Sequence, residues 1–423
     1  MKIKIDRERL ELGMYVSELD RPWIESPFLF QGFPLKSSEE IEQIRAICRY
    51  VYVDTERTPA DIRERLLLND RSQSISTSEK KRQPNRSGFT DTISFKSAEL
   101  EKSEYQEALI KAHSIRNDTR GYIDKMLGDA RLGRSVDTQQ AKTLVATLTA
   151  TIVKNPDASM WLTSLKKRDE YTAIHSLNVC VLSITFGRAL GLTLEQLNEL
   201  GLGALLHDVG KMRVPLEVLN KPGKLTDEEF IVMKGHPVTG HELLHKDSSL
   251  SAAVLDIVLS HHERTNGKGY PKGATADEIN YFTKIVSITD VYDAITSDRV
   301  YHDGMTPHEA LKNMYNWMPG NYDEELLQAF IRTIGIYPVG SVVEFDSGHV
   351  GIIVKINEMN KLKPVVLLVM NRNKEYYPVC RLINLSNPLW ADSESESTIK
   401  RIVDAKEYNL DVKQIIDQES SLK

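Results

Sequence analysis

Apolar residues recur at helical spacing through the long middle of the chain and switch to strand-like runs only towards its two ends. In SSEEIEQIRAI (37–47), Ile41, Ile44 and Ile47 share one helical face behind a serine that reads as an N-cap. MYVSEL (14–19) and RYVYVD (49–54) flank that helix, and their β-branched and aromatic residues predict strands. Residues 1–66 are therefore expected to form a small α/β domain. Across 67–98 large apolar residues thin out and serine and charge dominate, which predicts a flexible polar linker. Its basic cluster Lys80-Lys81-Arg82 reads as a solvated charge run.

The pattern turns helical over 99–154, a connector with breaks expected near Gly128 and Gly133. It stays helical and strongly apolar from Met160 to about Ile334, so 155–337 reads as the main domain. After Tyr337-Pro338, GSVVEFDSGHVGIIVKI and KPVVLLVMN are strand signals, with turn residues at Asp346–Gly348. Residues 338–392 are expected to be a small β appendage, and 393–423 a charged, partly helical tail.

Composition adds limits. With 423 residues, two or three domains are expected. No apolar run approaches the roughly 20 residues that span a bilayer, and MKIKIDRERL lacks the apolar core of a secretory signal. Cys48, Cys180 and Cys380 lie far apart with no CxxC, which argues against a disulfide framework or a thiolate zinc site and fits a cytoplasmic protein. The formal charge of −6 gives no reason to expect nucleic-acid binding. An anionic ligand would have to be met locally.

The chemistry concentrates in the helical region. His175 lies in EYTAIHSLNVCVLSITFG, a helix apolar nearly all round. His207-Asp208 closes LEQLNELGLGALLHDVGK, where Leu194, Leu197, Gly201 and Ala204 form an inward stripe that Asp208 continues. His236 stands in MKGHPVTG, His261-His262 end SAAVLDIVLSHHE, and Asp290 lies in KIVSITDVYDAITS. A lone buried histidine is usually a hydrogen-bonded core residue. Five imidazoles and two carboxylates facing one interior would each need a separate partner, whereas a shared cation satisfies them together. Seven ligands exceed the needs of one catalytic ion and suit two that share a carboxylate, the arrangement that clamps a phosphoryl centre. An imidazole-rich, thiolate-free set favours iron, manganese, zinc, cobalt or nickel over magnesium or calcium. Lys211, Arg264 and Arg299 are the nearby cations that fit a phosphate substrate.

HDVGK at 207–211, GHP at 235–237, HHERTNGKGYP at 261–271 and ITDVYDAITSDRVYH at 288–302 together resemble the HD-GYP family of bacterial phosphodiesterases, over about 155–340. The N-terminal segment resembles the small domain that often precedes this module. The resemblance implies a multidomain, mainly α protein: an all-helical HD-type bundle, a small α/β N-terminal domain and a small β C-terminal appendage. It implies hydrolysis of cyclic di-GMP to pGpG, with onward cleavage to GMP open, by a hydroxide held between two divalent ions, iron or manganese first. One ion would take His175, His207, Asp208 and Asp290; the other would share Asp208 and take His236, His261 and His262. Lys211 and Arg299 match substrate-phosphate positions, and Gly269-Tyr270-Pro271 shapes the pocket lip. Tyr171 replaces a glutamate that helps some members hold a third metal, so two are expected. His302 stands where lysine or arginine is frequent, which would make phosphate binding weaker or pH-sensitive. Cyclic di-GMP and signalling proteins such as diguanylate cyclases are the candidate partners. Two other readings stay open: a cyclic-dinucleotide receptor with little turnover, and a phosphohydrolase for another nucleotide.

Overall fold

The computed structural model describes residues 2–20, 33–35, 37–59, 62–63, 65–66, 110, 114, 119–154, 171–297, 304–317, 319–357, 360–387 and 398–421. The expected linker 67–98, Arg299 and His302 lie outside these residues. The chain divides into two units, 1–91 and 92–423.

In the first unit, β1 (Lys2–Asp6), β2 (Tyr15–Leu19), β3 (Phe33–Pro34) and β4 (Tyr50–Asp54) form an antiparallel sheet of order β1-β4-β2-β3. Alternation puts Ile3, Ile5, Val16, Val51 and Val53 on the buried face, where Ile41 and Ile44 of α1 (Ser38–Ile47) close the core. Ser37 and Glu40 form the capping box that starts α1, satisfying two otherwise orphaned N–H groups.

The first continuous stretch described in the second unit, residues 119–131, is helical. Gly128 lies inside that helix, contrary to the expected break, because one glycine costs only about 1 kcal/mol there. The chain turns at Gly133, whose φ of 80° favours glycine. Next come α2 (Thr138–Lys154), α3 (Tyr171–Ala189), α4 (Leu194–Leu206), α5 (Asp227–Lys234), α6 (His236–Leu244), α7 (Ala252–Ser260), α8 (Tyr281–Thr296), α9 (Pro307–Trp317) and α10 (Glu324–Ile334). Helix α3 is the central rod, buried almost continuously from Ala173 to Phe186. Helix α4 lies against α2, α3 and α7, with Leu197, Gly201 and Ala204 buried; Leu194, expected in that stripe, is exposed at the helix start. A Cβ on Gly201 would press on Ile184 of α3 and Val145 of α2, so the missing side chain lets three helices close on one another. Phe186 and Phe330 meet edge to face at 5.2 Å and tie α3 to α10.

The C-terminal part is a five-stranded antiparallel sheet of order β8-β7-β6-β5-β9, from β5 (Val342–Phe345), β6 (Val350–Lys355), β7 (Val365–Met370), β8 (Tyr376–Asn384) and β9 (Ile399–Val403). Strand β9 comes from the stretch read as charged tail, and α11 (Val412–Ser421) follows it. Its pattern, Ile399-Lys-Arg-Ile-Val403, hides the strand because Lys400 and Arg401 stay exposed at a sheet edge. No helix among the described residues is long and apolar enough to cross a membrane.

Candidate metal centre

Five helical segments converge on one buried point. His175 projects from the middle of α3; His207 and Asp208 follow α4 directly; His236 opens α6; His261 and His262 follow α7; Asp290 lies in α8. Asp208 stands between two groups of imidazoles. Its Oδ1 lies 3.2 Å from His236 Nε2 and 3.7 Å from His261 Nε2. Its Oδ2 lies 3.3 Å from His207 Nε2 and 3.5 Å from His175 Nε2. Asp290 Oδ1 is 3.0 Å from His175 Nε2 and 3.9 Å from His207 Nε2, while Oδ2 is 3.8 Å from His262 Nδ1. Two sets of donor atoms, Asp208/His236/His261/His262 and His175/His207/Asp208, each fall within 4.8 Å of one another. All seven residues named from the sequence are thus brought together, with Asp208 common to both sets.

The geometry fits a bound metal cation. His207 Nε2 and Asp208 Oδ1 are buried without a well-directed hydrogen bond. The Nδ1 atoms of His207, His236 and His261 donate to the carbonyls of Ala204 (2.7 Å), Met233 (2.8 Å) and Val258 (3.0 Å). In the neutral rings this leaves the lone pairs on Nε2, and those of His236 and His261 face each other at 3.2 Å. A cation held there would turn that repulsion into coordination.

Electrostatics agree. Burial alone would push the Asp208 carboxyl up, but His207, Lys211 and His236 outweigh it and hold the group well below the usual carboxylate range. Asp290 behaves likewise under the influence of His175, His207 and His262. Both are anionic at neutral pH. Burial, with His236 and Lys211, pushes His262 down to about 3, and burial and its imidazole neighbours push His261 well below its ordinary value. Those rings stay neutral and ready to donate. His175 goes the other way: burial lowers it, but bonds to Asp290 and Asp293 prevail and raise it to about 9.

Asp293 was not picked out in the sequence. Its Oδ2 accepts from His175 Nδ1 at 2.7 Å, its Oδ1 accepts from Asn178 Nδ2 at 2.9 Å, and the Ser297 hydroxyl adds a contact at 3.3 Å. This carboxylate orients His175 and fixes which nitrogen faces the site. One signal could have found it: Asp293 stands three residues after Asp290, on the same face of α8.

Among the other named residues, Lys211 lies in the 3₁₀ turn Val209–Arg213, with Nζ 2.6 Å from Asp208 Oδ2. The loop after His262 folds around Glu263, a second residue given no role from sequence. Its buried carboxylate accepts from the backbone N–H groups of Lys272 (2.7 Å) and Ala274 (2.9 Å). Gly269 rests on the Glu263 and Arg264 backbone so closely that a Cβ would overlap it. Tyr270 then lies over the His262 ring at 4.7 Å, while Pro271 is exposed. Arg264 places its guanidinium carbon 5.1 Å from the ring centre of Tyr322, a buried residue that drew no attention in the sequence.

A family model described as HD domain matches residues 157–326, and one described as Domain of unknown function (DUF3391) matches 2–141. The chain is 36% identical over 365 residues to the cyclic di-GMP phosphodiesterase PA4108 of Pseudomonas aeruginosa, covering 86% of this chain and 84% of that protein. It is 40% identical over 144 residues to the cyclic di-GMP phosphodiesterase response regulator RpfG of Xanthomonas campestris, covering 34% of this chain and 38% of that one. Among solved structures, the HDG"Y"P protein Bd1817 of Bdellovibrio bacteriovorus matches 78% of this chain and 98% of its own, with 18% identity and a TM-score of 0.46. Given similarity across most of both chains to the Pseudomonas enzyme, together with the HD-domain match, this chain belongs to the HD-GYP family of cyclic di-GMP phosphodiesterases.

Proposed function

We propose that this chain hydrolyses cyclic di-GMP to pGpG at a centre of two divalent transition-metal ions. The observation that carries the reading is Asp208, whose two oxygens face two separate sets of imidazoles. One ion would be held by His175, His207, Asp208 and Asp290, the other by Asp208, His236, His261 and His262. When bound, the ions supply Lewis-acid polarisation of the phosphoryl oxygen and a water acidic enough to attack near neutral pH. The chain's own residues do the rest. Asp208 and Asp290, ionised and buried, give the cavity the negative charge that draws cations in. Asp293 holds the His175 ring in register. Lys211, reaching Asp208 from a partly exposed position, is placed to neutralise a non-bridging phosphate oxygen. The loop closed by Glu263 presents Tyr270 beside the centre and limits access to it.

The test is anaerobic purification, elemental analysis and a cyclic di-GMP cleavage assay on one sample. Asp208→Ala and His207→Ala are expected to lose turnover and metal while keeping a helical circular-dichroism spectrum. Cleavage at the normal rate by metal-loaded Asp208→Ala protein would sink the assignment. Tight binding by the wild type with no product would favour a receptor instead.

A further inference from the structure

Arg264 is a half-buried cation without a carboxylate within ion-pairing distance among the described residues. Its surroundings hold it in place. The guanidinium lies on the face of Tyr322, 5.1 Å from the ring centre. Tyr322 is itself buried, and the next residue, Asp323, caps α10 and pairs with Lys284 of α8 at 3.3 Å. The two loops that carry Arg264 and Tyr322 are joined: Thr265 N–H donates to the Asn321 carbonyl at 3.4 Å, and Gly320 sits against Asn266. Arg264 also hydrogen-bonds the Tyr322 hydroxyl, and the guanidinium's remaining N–H groups are left for an anion.

Arg264 also shares the field of the metal ligands. The Tyr270 phenol, which burial raises, is acted on by Asp290 and Asp208 in one direction and by Arg264 in the other. Tyr322 is acted on by Arg264 and Asp290 together. The geometry agrees: Arg264 stands two residues after His262, and a Cβ on Gly269 would overlap its backbone nitrogen, just before Tyr270 covers the His262 ring. Lys211 is engaged on Asp208 at 2.6 Å, where a phosphate under attack would lie. A cyclic dinucleotide carries two phosphodiesters, and the second needs its own counter-charge.

We propose that Arg264, positioned by Tyr322, forms a second anion subsite that takes the phosphodiester not being cleaved. The inference rests on the reading of the substrate as a cyclic dinucleotide. Arg264 contacts the ligand; Tyr322 acts only through Arg264. The subsite contributes to holding the two-phosphate ligand and leaves the bond-breaking step alone.

The experiment compares cyclic di-GMP with bis(p-nitrophenyl) phosphate, which has one phosphodiester, on metal-loaded full-length protein of measured metal content. Arg264→Ala is expected to raise KM for cyclic di-GMP by about tenfold or more with kcat nearly kept, and to leave KM for the small substrate unchanged. Tyr322→Leu should move the same parameter the same way, and the double variant should be no worse than Arg264→Ala alone, because the pair acts as a unit. Arg264→Lys keeps the charge and loses the planar face, so it should fall between wild type and alanine. Equal losses on both substrates, or lost metal, would mean the loops merely collapsed and would overturn the subsite. An unchanged KM for cyclic di-GMP in Arg264→Ala would overturn it while the wild-type activity stands. Wild-type protein that cleaves only the small substrate would overturn the proposed substrate, and the subsite with it.

Discussion

His175 engages both of its ring nitrogens, and the consequences differ for each. Nδ1 is bound to Asp293 and Nε2 points at Asp290 and Asp208, so the ring's orientation depends on a carboxylate that is not itself in either donor set. Asp293→Asn is expected to weaken metal uptake on the His175 side by about 10- to 100-fold, as losses of such supporting partners commonly do. Titration calorimetry of metal-free protein would then show one of two binding steps weakened; two unchanged steps would remove Asp293 from the account. On the proposed ligand assignment, the same ring would make metal uptake pH-dependent. Because His175 is raised to about 9 without metal, it carries a proton at neutral pH that an incoming ion must expel. The affinity of that step should climb by up to about tenfold per pH unit as pH rises towards 9, then level off. Calorimetry at pH 7 in buffers of different ionisation enthalpy should count about one proton released, and zero would contradict the assignment. The seven candidate ligands were legible because histidine and aspartate are conspicuous on helix faces that are otherwise apolar. Asp293 and Glu263 were not, since a carboxylate bonded to a ring or to backbone N–H groups looks, in sequence, like any other acid.

Helix ends and their spacing decide whether those side chains meet. The turn Val209–Arg213 crosses α6 so closely that a Cβ on Gly210 would overlap the His236 carbonyl oxygen and the Gly240 nitrogen. These are backbone atoms, which cannot swing aside as a side chain could. Gly210→Ala is therefore expected to cost about 1–3 kcal/mol and to draw Asp208 away from His236, with loss of metal on that side. Gly128→Ala is the matching control. That glycine lies within helix 119–131 with nothing within 4 Å of its would-be Cβ, so alanine should stabilise by about 0.5–1 kcal/mol. Urea unfolding of both variants reads the opposite signs, and a neutral Gly210→Ala would mean the turn yields more easily than its backbone contacts imply. Glycine thus carried two meanings that the apolar pattern could not separate: a presumed break at 128 that the helix absorbs, and a close crossing at 210 that resembles an ordinary helix stop. Strand β9 escaped for a related reason, since an edge strand shows its charges to solvent and loses the alternation that marks a half-buried one.

At the scale of the whole chain, the order of a mixed sheet unit, a helical bundle and a terminal sheet was legible because each class of element imposes its own apolar period. What that period does not carry is which surfaces share a core. Helix α2, read as part of a connector, buries Ala141, Val145, Leu148 and Ile152 against α3 and α4, so it belongs to the bundle's packing. The terminal sheet is the reverse case. Its core cluster, Val343, Phe345, Ile353, Val366, Ile383 and Leu385, draws only on residues of the sheet and its connections, with Tyr337, Leu368, Ile399 and Ile402 packed around them. Among the described residues no bundle helix contributes to that cluster, so its loss should not propagate to the candidate metal ligands. Phe345 is fully buried there, and Phe345→Ala is expected to cost the sheet about 3–5 kcal/mol. Scanning calorimetry should show the sheet's transition falling in temperature while a second, bundle transition stays put, and metal content and cyclic di-GMP cleavage should match wild type. A single transition that falls as a whole, with activity falling alongside, would show that the sheet braces the bundle through its junction after α10, where Lys361 bonds the Arg332 carbonyl. The two outcomes diverge because a shared core transmits a cavity's cost to every element it joins, whereas separate cores confine it.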